Sequence, residues 1–302
     1  MSSSRTSSTP NGTSRRRRGV AAALGTLTAL LSALALVLTL PGAATAAPAP
    51  PPPPAPAPPE PQKPGDAWMG AGVRMHEGDD TPGTPPADGG KGVAATVHGV
   101  DVSGHQGNVN WKGLWDSGVR FAYVKATEGT GYKNPYFTQQ YNGSYNIGMI
   151  RGAYHFALPN SSSGASQAKY FASNGGGWSK DGKTLPGVLD IEYNPYGSTC
   201  YGLSAGAMVN WIKDFTSTYK AQTGRDAVIY TSTSWWKQCT GNSGAFGNTN
   251  PLWVARYASG PGELPGGWGF YTFWQYTSSG PIVGDHNYFN GSMDRLKVLA
   301  NG

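Results

Sequence analysis

The chain has 302 residues, of which 38% are hydrophobic and 13% are charged, and its formal net charge is +6. The first 46 residues carry five arginines and no acid, whereas residues 97–302 hold 15 basic and 11 acidic residues. So small a surplus, with no Lys/Arg cluster among aromatic side chains, argues against a nucleic-acid-binding domain.

Residues 1–46 have the layout of a secretory signal peptide. A basic stretch, Arg15 to Arg18, precedes an uncharged apolar run, and the small residues Ala44 to Ala46 supply a cleavage site. The apolar run is nearly long enough for an uncleaved single-span anchor, which is the alternative. We expect cleavage and a secreted, extracellular protein.

Residues 47–96 do not have the composition of a folded domain. Up to residue 64 they are nearly all Pro and Ala, which favours a stiff polyproline spacer. The rest is rich in Gly, Pro and Asp without clear periodicity, and we interpret it as a disordered linker or pro-region. The stretch AWMGAGVRMHEGDD within it stays unassigned, with a short docking segment as one interpretation. Residues 97–302 are enough for one sizeable core.

From residue 97 onward, short β-rich runs alternate with helical patterns. The runs are rich in Val, Ile, Tyr, Phe or Trp and are bounded by Gly, Pro, Asn or Ser, which is typical of strands. The predicted strands are 98–103, 120–127, 150–157, 186–193, 227–232, 251–257, 271–277 and 286–291.

Three helices are predicted between the earlier strands from their start and stop signals. One runs from Asn134 to Gly148, and a shorter one lies around 164–174. The third begins after Ser204 and is closed by Gly224. After the fifth strand the helical patterns dwindle, so we expect loops between the last three strands.

Strand–helix alternation predicts an α/β domain with a parallel sheet. Eight strands favour closure into a barrel like the eight-stranded α/β barrel, with the last helices lost. An open doubly wound sheet is the alternative. It would need a ligand-binding switch point, and no Gly-rich phosphate loop follows a predicted strand to mark one.

The stretch LDIEYN places two carboxylates at the end of the fourth predicted strand. Residues two apart in a strand face the same side, so Asp190 and Glu192 are expected to point together. In α/β barrels that end of the strand carries the active site. Like charges held close raise one pKa, which gives the proton donor and the anion that glycosidic-bond cleavage requires. The alternative is two solvated carboxylates.

Two further acids are candidate catalytic residues. Asp101 ends the first predicted strand and Asp285 precedes the eighth, and these strands are neighbours in a closed barrel. For each acid, a role in a turn is the alternative. The strand ends are also rich in aromatic residues, which stack on sugar rings when they are not core residues. The five histidines show no metal-ligand spacing, so a metal site lacks support.

The two cysteines, Cys200 and Cys239, both lie in the predicted domain of an apparently exported chain. A disulfide is the natural interpretation, and two free thiols are the alternative. Closing a loop of about 40 residues stabilises a fold by roughly 3 to 4 kcal/mol.

Seven stretches, in this order, resemble glycoside hydrolase family 25, the Chalaropsis-type lysozymes, and especially the secreted muramidases of streptomycetes. They are GVDVSGHQGNVNW, FAYVKATEGTGYKNPYF, RGAYHFA, LDIEYN, LWVARY, FWQY and GDHNYFNG. The resemblance implies a TIM-like barrel of five βα units plus three strands, (β/α)5β3. It also implies hydrolysis of the β-1,4 bond between N-acetylmuramic acid and N-acetylglucosamine in bacterial peptidoglycan, without a cofactor. We expect the protein to act as a monomer.

The same resemblance implies residue roles. Glu192 is the expected general acid, and Asp190 is its partner, either as nucleophile or by orienting the substrate's acetamido group. Asp101 and Asp285 match acids that line the site. The candidate substrate-binding residues are Tyr123, Tyr154, Tyr193, Arg256, Trp274 and Gln275.

Two other functions remain as alternatives. One is a non-catalytic cell-wall-binding module on the same barrel, which the intact pair of acids disfavours. The other is a chitinase-like barrel, but such barrels end a strand with a longer acidic array than Asp-Ile-Glu.

Overall fold

The structure is a computed structural model that describes residues 59–78 and 96–302. The predicted signal peptide, residues 1–46, lies outside these ranges. The helices are α1 (Ala71–Glu77), α2 (Trp111–Asp116), α3 (Phe137–Asn146), α4 (Gly164–Phe171), α5 (Ala205–Thr223), α6 (Thr233–Thr240) and α7 (Met293–Asn301). The strands are β1 (Val97–Val102), β2 (Phe121–Glu128), β3 (Tyr132–Lys133), β4 (Ile150–Phe156), β5 (Val188–Asp190), β6 (Val228–Ser232), β7 (Leu252–Ala255), β8 (Phe273–Thr277) and β9 (Asp285–Phe289).

Eight of these strands close into a barrel. Their order around the ring is β1, β2, β4, β5, β6, β7, β8, β9, and pairing of β1 with both β2 and β9 closes it. Neighbours from β1 to β8 are parallel, whereas β9 is antiparallel to β8 and to β1. The predicted closed barrel is confirmed, and the open doubly wound sheet is not found in the described residues.

The helices follow the predicted pattern of five βα units and three strands. Helices α2 to α6 follow β1, β2, β4, β5 and β6 respectively, and loops join β7, β8 and β9. The two-residue strand β3 pairs with β2 outside the ring and was not predicted. Nor was α7, which buries Leu296 and Ala300 against the barrel.

Local signals explain where the helices begin and end. The Ser204 hydroxyl accepts the Ala207 N–H at the start of α5, and Gly224 ends that helix in the left-handed region at φ 77°. Both predicted boundaries are confirmed. Helix α3 begins later than predicted, because the Asn134 side chain accepts the Tyr136 N–H and donates to the Lys125 carbonyl, which fixes a turn before the helix.

Alternation along the strands separates two layers of side chains. On β1 and β2, Val100, Val102 and Val124 pack in the cluster that includes Trp111 of α2. Tyr123 instead contacts Trp253 and Phe273 from strands across the barrel. Asp101, which lies between Val100 and Val102, therefore faces the barrel interior.

The two cysteines form a disulfide. Cys200 lies in the loop after β5 and Cys239 lies in α6, with 5.3 Å between their Cα atoms. The predicted pairing is confirmed, and it ties the loop that follows the Asp-Ile-Glu sequence to a helix of the next βα unit.

The structure differs from the predicted disordered linker at residues 59–78, which we call the N-terminal segment. This segment contains α1 and packs against the barrel. Its apolar residues Ala67, Met69 and Val73 are buried, which explains why a stretch of linker-like composition is ordered. Within the described ranges, no helix has both the length and the apolar character needed to cross a membrane.

Candidate active site

Asp190 and Glu192 lie together at the carboxyl end of β5. Asp190 is the last residue of the strand, and Ile191 still donates its N–H to the Tyr230 carbonyl of β6, so the extended conformation continues to Glu192. Both carboxylates are fully buried. Alternation along this stretch explains why they share a side.

Asp101 and Asp285 are directly opposite each other on β1 and β9. Because β9 is antiparallel to β1, the start of β9 lies at the same end of the barrel as the carboxyl end of β1. The Asp101 carboxylate accepts the amide of Asn287 at 2.7 Å and that of Gln275 at 2.9 Å. Gln275 also donates to Asp285 at 3.4 Å. The two acids are therefore adjacent, as neighbouring strands of a closed barrel would place them, and both are buried.

Gln275 connects the acids to two tyrosines. Its carbonyl oxygen accepts the hydroxyls of Tyr230, at 2.5 Å, and Tyr257, at 2.9 Å. Its amide nitrogen donates to the Asp101 carboxylate, so this orientation satisfies both ends of the side chain. The result is a connected buried polar network across β1, β6 and β8, which fixes the geometry of the barrel mouth.

Burial controls the ionisation of the acids. It raises the pKa of Asp101 to about 7, against the hydrogen bonds from Asn287 and Gln275. Burial also raises the pKa of Glu192 to about 8, and hydrogen bonds from Gly70 and Val73 oppose the rise. Burial, followed by the charge of Glu192, raises the pKa of Asp190 well above its usual range. The cluster therefore holds protons at neutral pH.

A buried ion pair lies beside these acids and was not predicted. Lys125 and Glu128 of β2 are both buried, with 2.5 Å between Nζ and Oε2, and Tyr196 donates its hydroxyl to Glu128 at 2.8 Å. Burial lowers the pKa of Lys125, and the Lys125 charge favours the ionised form of Asp190. The sequence signal was present, because FAYVKATE places charged residues inside an apolar strand, as LDIEYN does.

Three of the candidate substrate-binding residues lie at the barrel mouth. Besides Gln275, they are Tyr154, whose hydroxyl accepts the Met69 N–H at 3.2 Å, and Tyr193, whose hydroxyl donates to Glu77 at 2.9 Å. Their partners belong to the N-terminal segment. Tyr257 also lies at the mouth. In the sequence it is one of several aromatic residues at the ends of predicted strands, and nothing distinguishes it from the others.

Of the other three candidates, two do not point into the mouth. The Tyr123 hydroxyl donates to the Pro186 carbonyl ahead of β5, at the opposite end of the barrel. Trp274 is next to Gln275 in β8. Because side chains alternate along a strand, Trp274 points to the outer face of the barrel, where it packs against Tyr276. The third, Arg256, directly follows the carboxyl end of β7, where it is exposed and donates to the Gly260 carbonyl. The role of these three residues as sugar contacts stays a prediction.

The N-terminal segment covers the acids. The Glu192 carboxylate accepts the N–H groups of Gly70, at 2.6 Å, and Val73, at 2.9 Å. In contrast, neither carboxyl oxygen of Asp190 accepts a hydrogen bond from the described part of the chain. Over residues 59–78 and 96–302, no group of three His, Cys, Asp or Glu side chains is arranged to hold a metal ion.

The barrel that carries these paired acids also matches a protein-family model. The family model described as glycosyl hydrolases family 25 matches residues 100–285. The chain belongs to glycosyl hydrolase family 25. The resemblance found in the sequence motifs is thereby confirmed.

Relatives in family 25 match most of the chain. Lysozyme M1 of Streptomyces globisporus is 51% identical over 247 residues, which are 79% of this chain and 82% of the relative. The N,O-diacetylmuramidase of Chalaropsis sp is 53% identical over 211 residues, which are 68% of this chain and all of the relative. The structure of the muramidase from Acremonium alcalophilum superposes with a TM-score of 0.67 at 62% identity, covering 68% of this chain and 99% of that one.

These family 25 matches differ in how far they extend. A match that covers 68% of the chain is about as long as the barrel, residues 97–302. The match to Lysozyme M1 is longer than the barrel and therefore includes residues ahead of Val97, where the N-terminal segment lies.

Proposed function

We propose that this protein is a secreted lysozyme that hydrolyses the β-1,4 bond between N-acetylmuramic acid and N-acetylglucosamine in bacterial peptidoglycan. The observation that carries the proposal is the buried pair Asp190 and Glu192 at the carboxyl end of β5, in a family 25 barrel. The names of the relatives, lysozyme and N,O-diacetylmuramidase, support hydrolysis of this bond in this polymer.

Glu192 acts as the general acid. Its proton passes to the glycosidic oxygen as the bond to the anomeric carbon breaks, which lets the leaving sugar depart as an alcohol. A buried carboxyl group with a raised pKa keeps that proton at neutral pH, as Glu192 does here.

Asp190 stabilises the positive charge that develops on the sugar ring. It acts either as the nucleophile at the anomeric carbon or by orienting the substrate's acetamido group for internal attack. Because its oxygens accept no hydrogen bond from the described residues, they are available for either contact. The neighbouring Lys125 charge favours the ionised form that both roles need.

The remaining acids and the mouth residues position the sugar chain. Asp101 and Asp285, joined through Gln275, line the side of the mouth opposite β5. Tyr154 and Tyr193 offer aromatic faces and hydroxyls, a combination suited to sugar rings. All these groups come from one barrel, which supports action as a monomer.

Export is part of the proposal. The basic and apolar start of the sequence supports a cleaved signal peptide, although those residues lie outside the described ranges. The Cys200–Cys239 disulfide supports an oxidising compartment. The site of action is then the extracellular cell wall.

The product identifies the bond that is cut. Residues 97–302, incubated with purified peptidoglycan, should release fragments whose new reducing ends are muramic acid, detected by borohydride reduction and mass spectrometry. New reducing ends on glucosamine would contradict the proposed bond. Protein that sediments with the walls but releases no new reducing ends would instead indicate a binding module.

A further inference from the structure

The N-terminal segment fills the place where a sugar chain would bind. Ala67 and Met69 are fully buried, Val73 is 1% exposed and Trp68 is 3% exposed, so these side chains pack as core residues do. The packing therefore gives the segment a defined position over the acids.

The backbone of the segment bonds to the polar groups of the mouth. The Met69 carbonyl accepts the Gln275 amide at 3.1 Å, and the Ala67 carbonyl accepts Lys125 Nζ at 2.5 Å. The Tyr257 hydroxyl, which donates to Gln275, also lies 3.4 Å from the Gly70 carbonyl oxygen. Peptide groups thus occupy hydrogen-bonding positions that the hydroxyl and acetamido groups of a sugar would otherwise use.

Contacts at both ends hold the segment in place. At one end, the Gly65 N–H donates to Glu128 at 2.8 Å and the Ala67 N–H donates to the Tyr196 hydroxyl at 2.9 Å. At the other end, Glu77 accepts hydrogen bonds from the hydroxyls of Tyr193 and Ser232. The His76 ring stacks on Tyr193, with ring centroids 4.3 Å apart.

The segment also changes the state of the general acid. Both oxygens of Glu192 accept N–H groups from the segment, an arrangement that favours the carboxylate over the acid. Asp190 receives no such donor. Both oxygens of the general acid are therefore engaged by the segment, whereas acid catalysis needs one of them directed at the substrate.

Two glycines allow this close approach. Gly70 has φ +93°, and a Cβ there would lie 2.1 Å from the Tyr257 hydroxyl oxygen. A Cβ on Gly72 would lie 2.5 Å from the backbone oxygen of Tyr193. The sequence WMGAG thus fits the mouth because these two positions lack side chains.

We propose that residues 59–78 are an intramolecular inhibitor of the barrel, so that the chain is latent until this segment leaves the mouth. This inference rests on the proposed function, since it assigns the covered site to peptidoglycan. The pattern of family matches supports it. A solved relative is matched over 99% of its chain by a stretch about as long as the barrel, so the barrel fold exists without a counterpart of the segment.

The first test compares activity with and without the segment. Protein that retains residues 59–302, verified by intact mass, should release reducing ends from peptidoglycan at least about tenfold more slowly than residues 97–302. The double variant Gly70→Ala, Gly72→Ala in the longer protein should recover most of that loss, because the barrel is unchanged. Met75→Ala is the matched control, since Met75 is 41% exposed, and it should stay latent.

Equal activity of the longer wild-type protein and residues 97–302 would overturn the proposal. The proposal would also be overturned if the double variant were as slow as the longer wild-type protein and the Met75→Ala control. In that case, slow turnover would not depend on the fit of the segment.

A second measurement does not depend on turnover. A synthetic peptide of residues 62–78 is titrated into residues 97–302 by calorimetry. Tethering gives an effective concentration on the order of 1 mM, so a Kd of about 0.1 mM in solution corresponds to about tenfold inhibition of the intact chain. The peptide with Gly72→Ala should bind more weakly, and so should the wild-type peptide to Glu192→Gln, which loses one acceptor.

The two measurements separate the two proposals. If neither protein acts on peptidoglycan but the peptide binds with these preferences, the proposed substrate is wrong and the inhibitor remains. If residues 97–302 cleave peptidoglycan but the peptide shows no binding up to about 1 mM, the inhibitor is wrong and the proposed function remains.

Discussion

At the scale of single residues, Asp190 and Glu192 lie at the same strand end but differ in the hydrogen-bond donors around them. Asp190 and Glu192 are equally buried, but the segment's N–H groups point at Glu192 alone. The sequence predicted the pair, because alternation in a strand depends only on spacing. It could not predict the donors to Glu192, since they come from residues about 120 positions away in the chain.

The raised pKa values predict how stability depends on pH. Asp101, Asp190 and Glu192 have higher pKa values in the folded state than in the unfolded chain. At a pH between its unfolded and its folded pKa, each group therefore binds more protons in the folded state. Their stabilising contribution is complete at low pH and is lost as the pH rises. His98 and His155, with pKa values lowered to about 4, act in the opposite direction only below about pH 6.5.

For the protein that retains residues 59–302, we therefore expect the free energy of unfolding to fall by about 2 kcal/mol or more between about pH 6.5 and about pH 8.5. Urea titrations across this range measure it. Asp190→Asn removes one of the titrating groups and should reduce the fall. A fall of the same size in the variant would show that Asp190 is not among the groups responsible.

At the scale of elements, predictions succeeded where a pattern is local. The bounds of α5 follow from Ser204 and Gly224, which act within one turn of the helix. The antiparallel direction of β9 depends on a loop connection rather than on its own residues, so the sequence did not reveal it. Alternation along β8, which places Gln275 inside the barrel, turns its neighbour Trp274 to the outer face, where it packs against Tyr276.

The disulfide between the β5 loop and α6 is predicted to be a strong stabiliser. It joins residues 39 positions apart, so replacing both cysteines by alanine should lower the free energy of unfolding by about 3 to 4 kcal/mol. Urea titration measures this loss. A reductant should destabilise the wild type and leave the double variant unchanged. Equal stability of the wild type and the double variant in the absence of reductant would contradict the prediction.

At the scale of the whole molecule, the sequence and the structure disagree most at the N-terminal segment. Its Gly and Pro content is typical of a linker, and composition carries no information about a distant surface that fits it. The buried side chains of Ala67 and Met69 become understandable only once the barrel mouth exists. The sequence therefore indicated the candidate acids but not what covers them.

The segment should also stabilise the barrel. An effective concentration of about 1 mM and a Kd of about 0.1 mM correspond to about 1.4 kcal/mol of added stability. Residues 59–302 should accordingly unfold at higher urea concentration than residues 97–302, and Gly72→Ala should remove most of the difference. If the two proteins are equally stable, the segment does not hold the mouth in solution.

The central claim is that Glu192 donates the proton that cleaves peptidoglycan. The most direct measurement is the rate of reducing-end release by residues 97–302 and by their Glu192→Gln variant, with Glu263→Gln, an exposed acid paired with Lys237, as control. We predict a loss of about a thousandfold for Glu192→Gln and no change for Glu263→Gln. A folded Glu192→Gln variant that retains the wild-type rate would contradict the account.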